Sequence, residues 1–142
     1  MSFVSVTRLR PRSVRFLPMV ILYSWLSKKQ LRRASGFIGG YLASGPKFAL
    51  WTVTVWADER SMRNYRNANA HVKAMPKLIH SCDEAAVVHW VQDAAVIPEP
   101  SEAAARMKFG RLSKVKHPSP AHVAGDCWPD GIVPRVGPRL AP

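Results

Sequence analysis

Apolar and polar positions divide the chain into six patterned segments followed by a stretch with no period. Phe3–Leu9 (FVSVTRL) is β-branched and aromatic and reads as a strand, which Pro11 ends. Ser13 can cap a helix over Val14–Ala34, with Pro18 tolerated near its start and Ser35-Gly36 stopping it. Lys28, Lys29, Arg32 and Arg33 fall in its last turns, where the carbonyl end of the helix dipole favours positive charge. Phe37–Ala43 (FIGGYLA) reads as a second strand, and its paired glycines predict a bulge or a close approach by another group. Ser44-Gly45-Pro46 is a turn signal, and Phe48–Trp56 (FALWTVTVW) completes a hairpin as the strongest strand pattern in the chain. Asp58 then caps a second helix, on which Met62, Tyr65, Asn69 and Val72 recur at helical spacing. Pro76 predicts a kink or restart before the helical stretch ends near Ser81. Ala85–Gln92 (AAVVHWVQ) is the last strand.

This order predicts an α+β, ferredoxin-like β-α-β-β-α-β domain over residues 1–97. Two helices on one face of four strands leave the other face bare. Its aromatic and β-branched side chains would be costly to hydrate, so a second copy is expected to cover it in a two-fold homodimer. From residue 98 the composition changes, because eight of the twelve prolines lie at or beyond Pro98. Ser101–Lys114 is expected to form a short helix capped by Ser101, within a largely disordered, basic, Pro-rich tail over residues 98–142.

Charge changes the picture only once it is located. The net +12 is concentrated at the front: residues 1–57 hold nine Lys and Arg and no acid, whereas residues 58–97 carry five of each sign. Such clusters attract phosphates or anionic head groups, or they solubilise the ends of a greasy helix. No helix-turn-helix, zinc-finger or RNP-like motif accompanies them, which argues against sequence-specific nucleic-acid recognition. Phe16–Leu26 (FLPMVILYSWL) would rise only about 16 Å as a helix, too little to span a bilayer. It also runs into Lys28-Lys29 without a small-residue cleavage site. A buried core helix is the favoured reading, and a helix lying on an anionic membrane surface is the alternative. Cys82 and Cys127 offer neither a disulfide framework nor zinc spacing, which suits free thiols in a reducing cytoplasm.

Within this frame, the segment Trp51–Leu78 resembles the antibiotic-biosynthesis-monooxygenase-like proteins of the dimeric α+β barrel superfamily. More narrowly, it is similar to a bacterial branch related to spheroidene monooxygenase. The elements that carry the likeness are Trp56 ending a strand, Asp58-Glu59 opening a helix, Met62 with Tyr65, Ala70-His71, and Ala74-Met75. Asp83-Glu84-Ala85 and His89-Trp90 add to it.

The resemblance implies a pocket in each protomer, between the second helix and the sheet. It also implies oxidation of a hydrophobic aromatic or polyene small molecule by O2 without metal or flavin. That chemistry requires a deprotonated substrate, groups that hold its anion, and a dry chamber. His71 is the candidate acid/base or anion-holding residue, because its pKa lies near neutrality, and Asn69 could orient a substrate carbonyl. Tyr65, Trp51, Trp56, His89 and Trp90 are the candidate substrate-binding residues. Trp51 and Trp56 must point to opposite faces of their strand, as must His89 and Trp90 of theirs. No cofactor is expected. Haem held by His71 is the alternative, in a protein that binds a ligand without catalysis. His80, Cys82 and Asp83 lie close in sequence, but without a second cluster they are read as a helix end rather than a metal site.

Overall fold

The computed structural model describes residues 1–142, except for the side chains of residues 69–71. The elements are β1 (Ser2–Pro11), α1 (Leu17–Leu31), β2 (Phe37–Ser44), β3 (Leu50–Trp56), α2 (Glu59–Arg66), α3 (Asn69–Ser81), β4 (Cys82–Gln92), α4 (Pro100–Met107), β5 (Arg111–Leu112), α5 (Pro120–Val123) and β6 (Arg135–Leu140). They build one antiparallel sheet in the order β5-β4-β1-β3-β2-β6. Its four central strands are those expected from the sequence, in the ferredoxin-like order.

Strict alternation in β1 and β3 splits the sheet into two unlike faces. Val4, Val6, Trp51, Val53 and Val55 point one way into the main core. Ser5, Thr7, Thr52 and Thr54 point the other way, toward α1, α2 and α3. The bulge expected at the glycine pair is present, since the β2–β3 register shifts between Phe37 and Gly39. Gly40 also has no room for a side chain, because a Cβ there would collide with the Val53 carbonyl.

Five sequence expectations are corrected. The strand read over Phe48–Trp56 begins only at Leu50. Lys47 and Phe48 instead occupy the left-handed region (φ 56° and 64°) in a tight 3-10 turn over Pro46–Phe48. The second helix is two helices, and the break falls at Asn67–Ala68 rather than at Pro76, which sits within α3. There the Gln30 amide on α1 donates to the Tyr65 and Ala68 carbonyls, which also accept from the Ala68 and Val72 N–H groups, and so ties the break to α1. Asn69 and Val72 therefore do not continue the helix that carries Met62 and Tyr65.

The helix read as core, α1, buries only Val20 and Leu31. Residues 98–142 are ordered rather than loose, although α4 starts at Pro100 with no side-chain cap instead of at Ser101. The face expected to need a twin is covered by the chain itself. Ala103, Ala104 and Met107 of α4, together with Cys127, pack onto Val4, Val6, Trp51, Val53 and Trp90. That face therefore no longer supplies a reason for a second copy.

Buried charge fastens this cover. Arg8, 2% exposed, donates to Glu84 at 2.8 Å and to Asp130 at 3.3 Å, and the Ser119 hydroxyl donates to the other Glu84 oxygen at 2.7 Å. Arg10 makes a two-pronged bond to Asp83 at 2.9 and 2.7 Å. Two of the N-terminal arginines that looked available for phosphates are thus engaged inside the fold.

Candidate functional site

Between the hydroxyl-bearing face of the sheet and the helix layer lies a cavity of about 510 Å³. Strand register builds its floor. His89, Ser5 and Thr54 stand side by side across β4, β1 and β3, and Val87, Thr7 and Thr52 form the next row. The Trp56 indole N–H donates to the Thr54 hydroxyl at 2.9 Å, and that hydroxyl donates to the Ser5 carbonyl at 3.3 Å. The Phe3 ring lies 5.2 Å from the His89 ring at an interplanar angle of 56°.

The helices form the roof. Tyr65 stacks 5.3 Å from Trp56, and its hydroxyl donates to the Ser27 carbonyl on α1 at 3.1 Å. Burial pushes the Tyr65 phenol up to about 12, so it stays protonated through the neutral range. Leu31, Met62, Ala74 and Leu78 supply apolar wall.

Lys28, Arg66, Arg111 and Lys114 also line the cavity, and among the described lining residues there is no Asp or Glu. This cationic lining and the loss of solvent act on His89 together. Its pKa is lowered from 6.5, first by burial and then by Arg111 and Arg66. A neutral imidazole beside cationic side chains can accept a proton, while the cations hold the negative charge left behind. Among the described residues no group of three or more His, Cys, Asp or Glu is placed to hold a metal. Burial also pushes the Cys82 thiol up to about 12, which leaves it unreactive near neutral pH.

Of the residues proposed from sequence, Trp56, Tyr65 and His89 meet at the cavity. Trp51 and Trp90 lie on the opposite face beneath α4, where Arg106 stacks 4.6 Å from the Trp90 ring. The candidates His71 and Asn69 lie outside the described residues as far as their side chains go. The hydroxyl ladder is not among the residues expected from sequence, although S-V-T in β1 and T-V-T in β3 alternate hydroxyls with valines. Nor is Arg111. No local pattern marks that residue, which reaches the cavity only because β5 pairs with β4, Arg111 opposite Val87.

No family model and no curated protein matches the chain. Solved structures do. SnoaB, a cofactor-independent oxygenase from Streptomyces nogalater, superposes with a TM-score of 0.56 at 13% identity, over 69% of this chain and 98% of that one. Rv0793 from Mycobacterium tuberculosis gives 0.59 at 13% identity, over 68% and 100%. A structure of an antibiotic biosynthesis monooxygenase gives 0.58 at 9% identity, over 65% and 99%. Each spans nearly its own whole length but only about two thirds of this chain. The chain thus has the ferredoxin-like α+β fold found in structures of antibiotic-biosynthesis-monooxygenase-like proteins.

Proposed function

We propose that the chain is a monooxygenase-like enzyme that uses O2 on a hydrophobic, electron-rich aromatic or polyene molecule held in the cavity above the sheet. The supporting observation is the cavity floor, where His89, Ser5 and Thr54 form one polar row under an aromatic roof, with cationic and no acidic lining. In this reading an activated methylene gives up a proton to the neutral His89 imidazole. Lys28, Arg66 and Arg111 stabilise the resulting anion. The anion transfers an electron to O2, and the radical pair recombines to a peroxide anion, which takes the proton back from the imidazolium to give a hydroperoxide. Loss of water then leaves a carbonyl, so that the methylene and dioxygen together give a ketone-type carbonyl and water. The cofactor-independent activity named for SnoaB is in keeping with this scheme. The narrower likeness to the spheroidene-monooxygenase-related branch, carried by Trp56, Asp58-Glu59 and Met62 with Tyr65, favours a polyene among the substrates tested.

The test is oxygen uptake with a panel of anthrones, quinols and polyenes. His89→Ala should lower kcat/KM by about 100-fold or more with an unchanged unfolding midpoint. His71→Ala and Asn69→Ala assay the roles expected of those side chains. Because the His89 pKa is lowered, activity should persist to lower pH than an ordinary imidazole would allow, its decline centred below 6.5. Arg111→Gln should move that decline toward 6.5, since Arg111 helps to disfavour the imidazolium. Uptake that is absent across the panel, or indifferent to His89, rules the scheme out.

A second reading, a non-catalytic haem or small-ligand carrier, draws on the same lining, which suits a ligand bearing carboxylates. Haem would meet His89 on the floor and the cationic residues for its propionates. A Soret band on mixing with haemin that disappears in His89→Ala or His71→Ala would favour it.

A further inference from the structure

Helix α1 has two unlike sides. Tyr23, Ser24, Ser27 and Leu31 line the cavity. On the outward side Ile21 is 59% exposed, Leu22 51% and Trp25 54%, successive turns of one helix stripe. Val72 on α3, which packs beside α1 in the same layer, is also exposed. The apolar patch is bordered by cations at the finish of α1, where Lys29, Arg32 and Arg33 follow it in sequence. Arg15 lies just before the helix start. The Lys29 ammonium lies 4.7 Å over the Trp25 ring, at the boundary between the apolar and basic halves. At the same end Lys29, Arg33, Ser35, Ser61 and Asn64 line an open polar cleft.

We propose that this outward helix face docks on an anionic lipid bilayer, with Ile21, Leu22 and Trp25 entering the interface and Lys29, Arg32 and Arg33 meeting lipid phosphates. Apolar side chains exposed on consecutive turns are costly in water. An indole with a cation above it suits the zone where acyl chains meet head groups. At 15 residues α1 is about 22 Å long, too short to cross, and no helix among the described residues is long and apolar enough to do so. It would therefore lie in the plane of the interface. A second copy fits the patch less well. Both ends of α1 are basic and residues 1–57 contain no acid, so either orientation of a pair sets cations against cations. Docking places the roof of the cavity against the lipid. The proposal does not rest on the oxygenase reading.

The experiment is sedimentation of the full chain with vesicles of mixed phosphatidylglycerol and phosphatidylcholine, compared with phosphatidylcholine alone. Binding is expected to the mixed vesicles and to weaken strongly at high salt. Ile21→Ser with Trp25→Ser should lower the partition by roughly tenfold or more. Lys29→Glu with Arg33→Glu should do the same. All four side chains lie on the outer surface of the helix layer, so the unfolding midpoint should stay where it is in both variants. No binding beyond that to phosphatidylcholine overturns the proposal. So does binding that survives Ile21→Ser with Trp25→Ser, which would be charge attraction alone. A dimer in solution that Trp25→Glu splits would assign the face to a second copy and overturn it equally. Oxygen uptake measured without vesicles is unaffected by any of these outcomes, so the two readings fail separately.

Discussion

The two faces of one sheet behave as different materials, though the same strands build both. On the side covered by α4, Val4, Val6, Trp51, Val53 and Val55 are fully buried and pack against Ala103, Ala104 and Met107. On the side covered by α1, α2 and α3, the neighbours of those residues along the strands include Ser5, Thr7, Thr52 and Thr54, which face a cavity of about 510 Å³. Adjacent residues of β3 thus belong to opposite environments. The dry face holds the fold together, and the hydroxyl face leaves space that a ligand can fill. Because alternation separates the two, substitutions on one face should change stability and those on the other should change binding.

Trp51→Ala should have the largest effect on stability. It removes a fully buried indole from the dry face and should cost about 3–5 kcal/mol in denaturant unfolding. Trp51→Phe should cost much less, because the indole N–H it removes is buried without a partner. A small loss from Trp51→Ala would mean that the α4 cover is loosely packed, and the contrast between the faces would weaken.

Next comes the ion cluster that ties residues 98–142 to the sheet. Glu84→Ala leaves the buried Arg8 guanidinium with only the longer contact to Asp130 and should cost about 3 kcal/mol, read as a shift in the denaturant midpoint. Replacing the exposed pair partner Glu59, which binds Arg63 at 2.8 Å on the surface, should cost under about 1 kcal/mol. Equal effects would show that burial does not distinguish the two pairs.

A stability effect smaller than at either buried site is expected on the hydroxyl face. Thr54→Val keeps the shape of the floor but removes the acceptor of the Trp56 N–H. It should cost about 1–2 kcal/mol while changing the affinity for any cavity ligand, measurable by quenching of indole fluorescence. An unchanged affinity would separate the polar row from binding.

Part of the site was legible in the sequence for a physical reason. A strand has period two, so Trp51 and Trp56, five apart, had to face opposite ways, as did His89 and Trp90. Which of each pair faced the cavity was not legible, because that depends on the side on which the helices pack. Helix caps were equally local: Asp58 accepts from the Ser61 N–H at 2.7 Å, as its position predicted. The helix break was not, because the Gln30 amide that braces it comes from a distant helix.

The four central strands, their order with the helices and the division into two faces follow from side-chain alternation and from turn residues close in the chain. What covers the dry face, and how the cavity acquires Arg111 and Leu140, depends on packing between distant segments. Beyond a short helical signal at Ser101–Lys114, the segment after Pro118 has no apolar period of its own. The short strands after Pro98 acquire hydrogen-bond partners only along the open edges of β4 and β2, and α4 acquires an apolar partner only on the finished sheet. Order that depends on a surface built elsewhere leaves no local pattern to read.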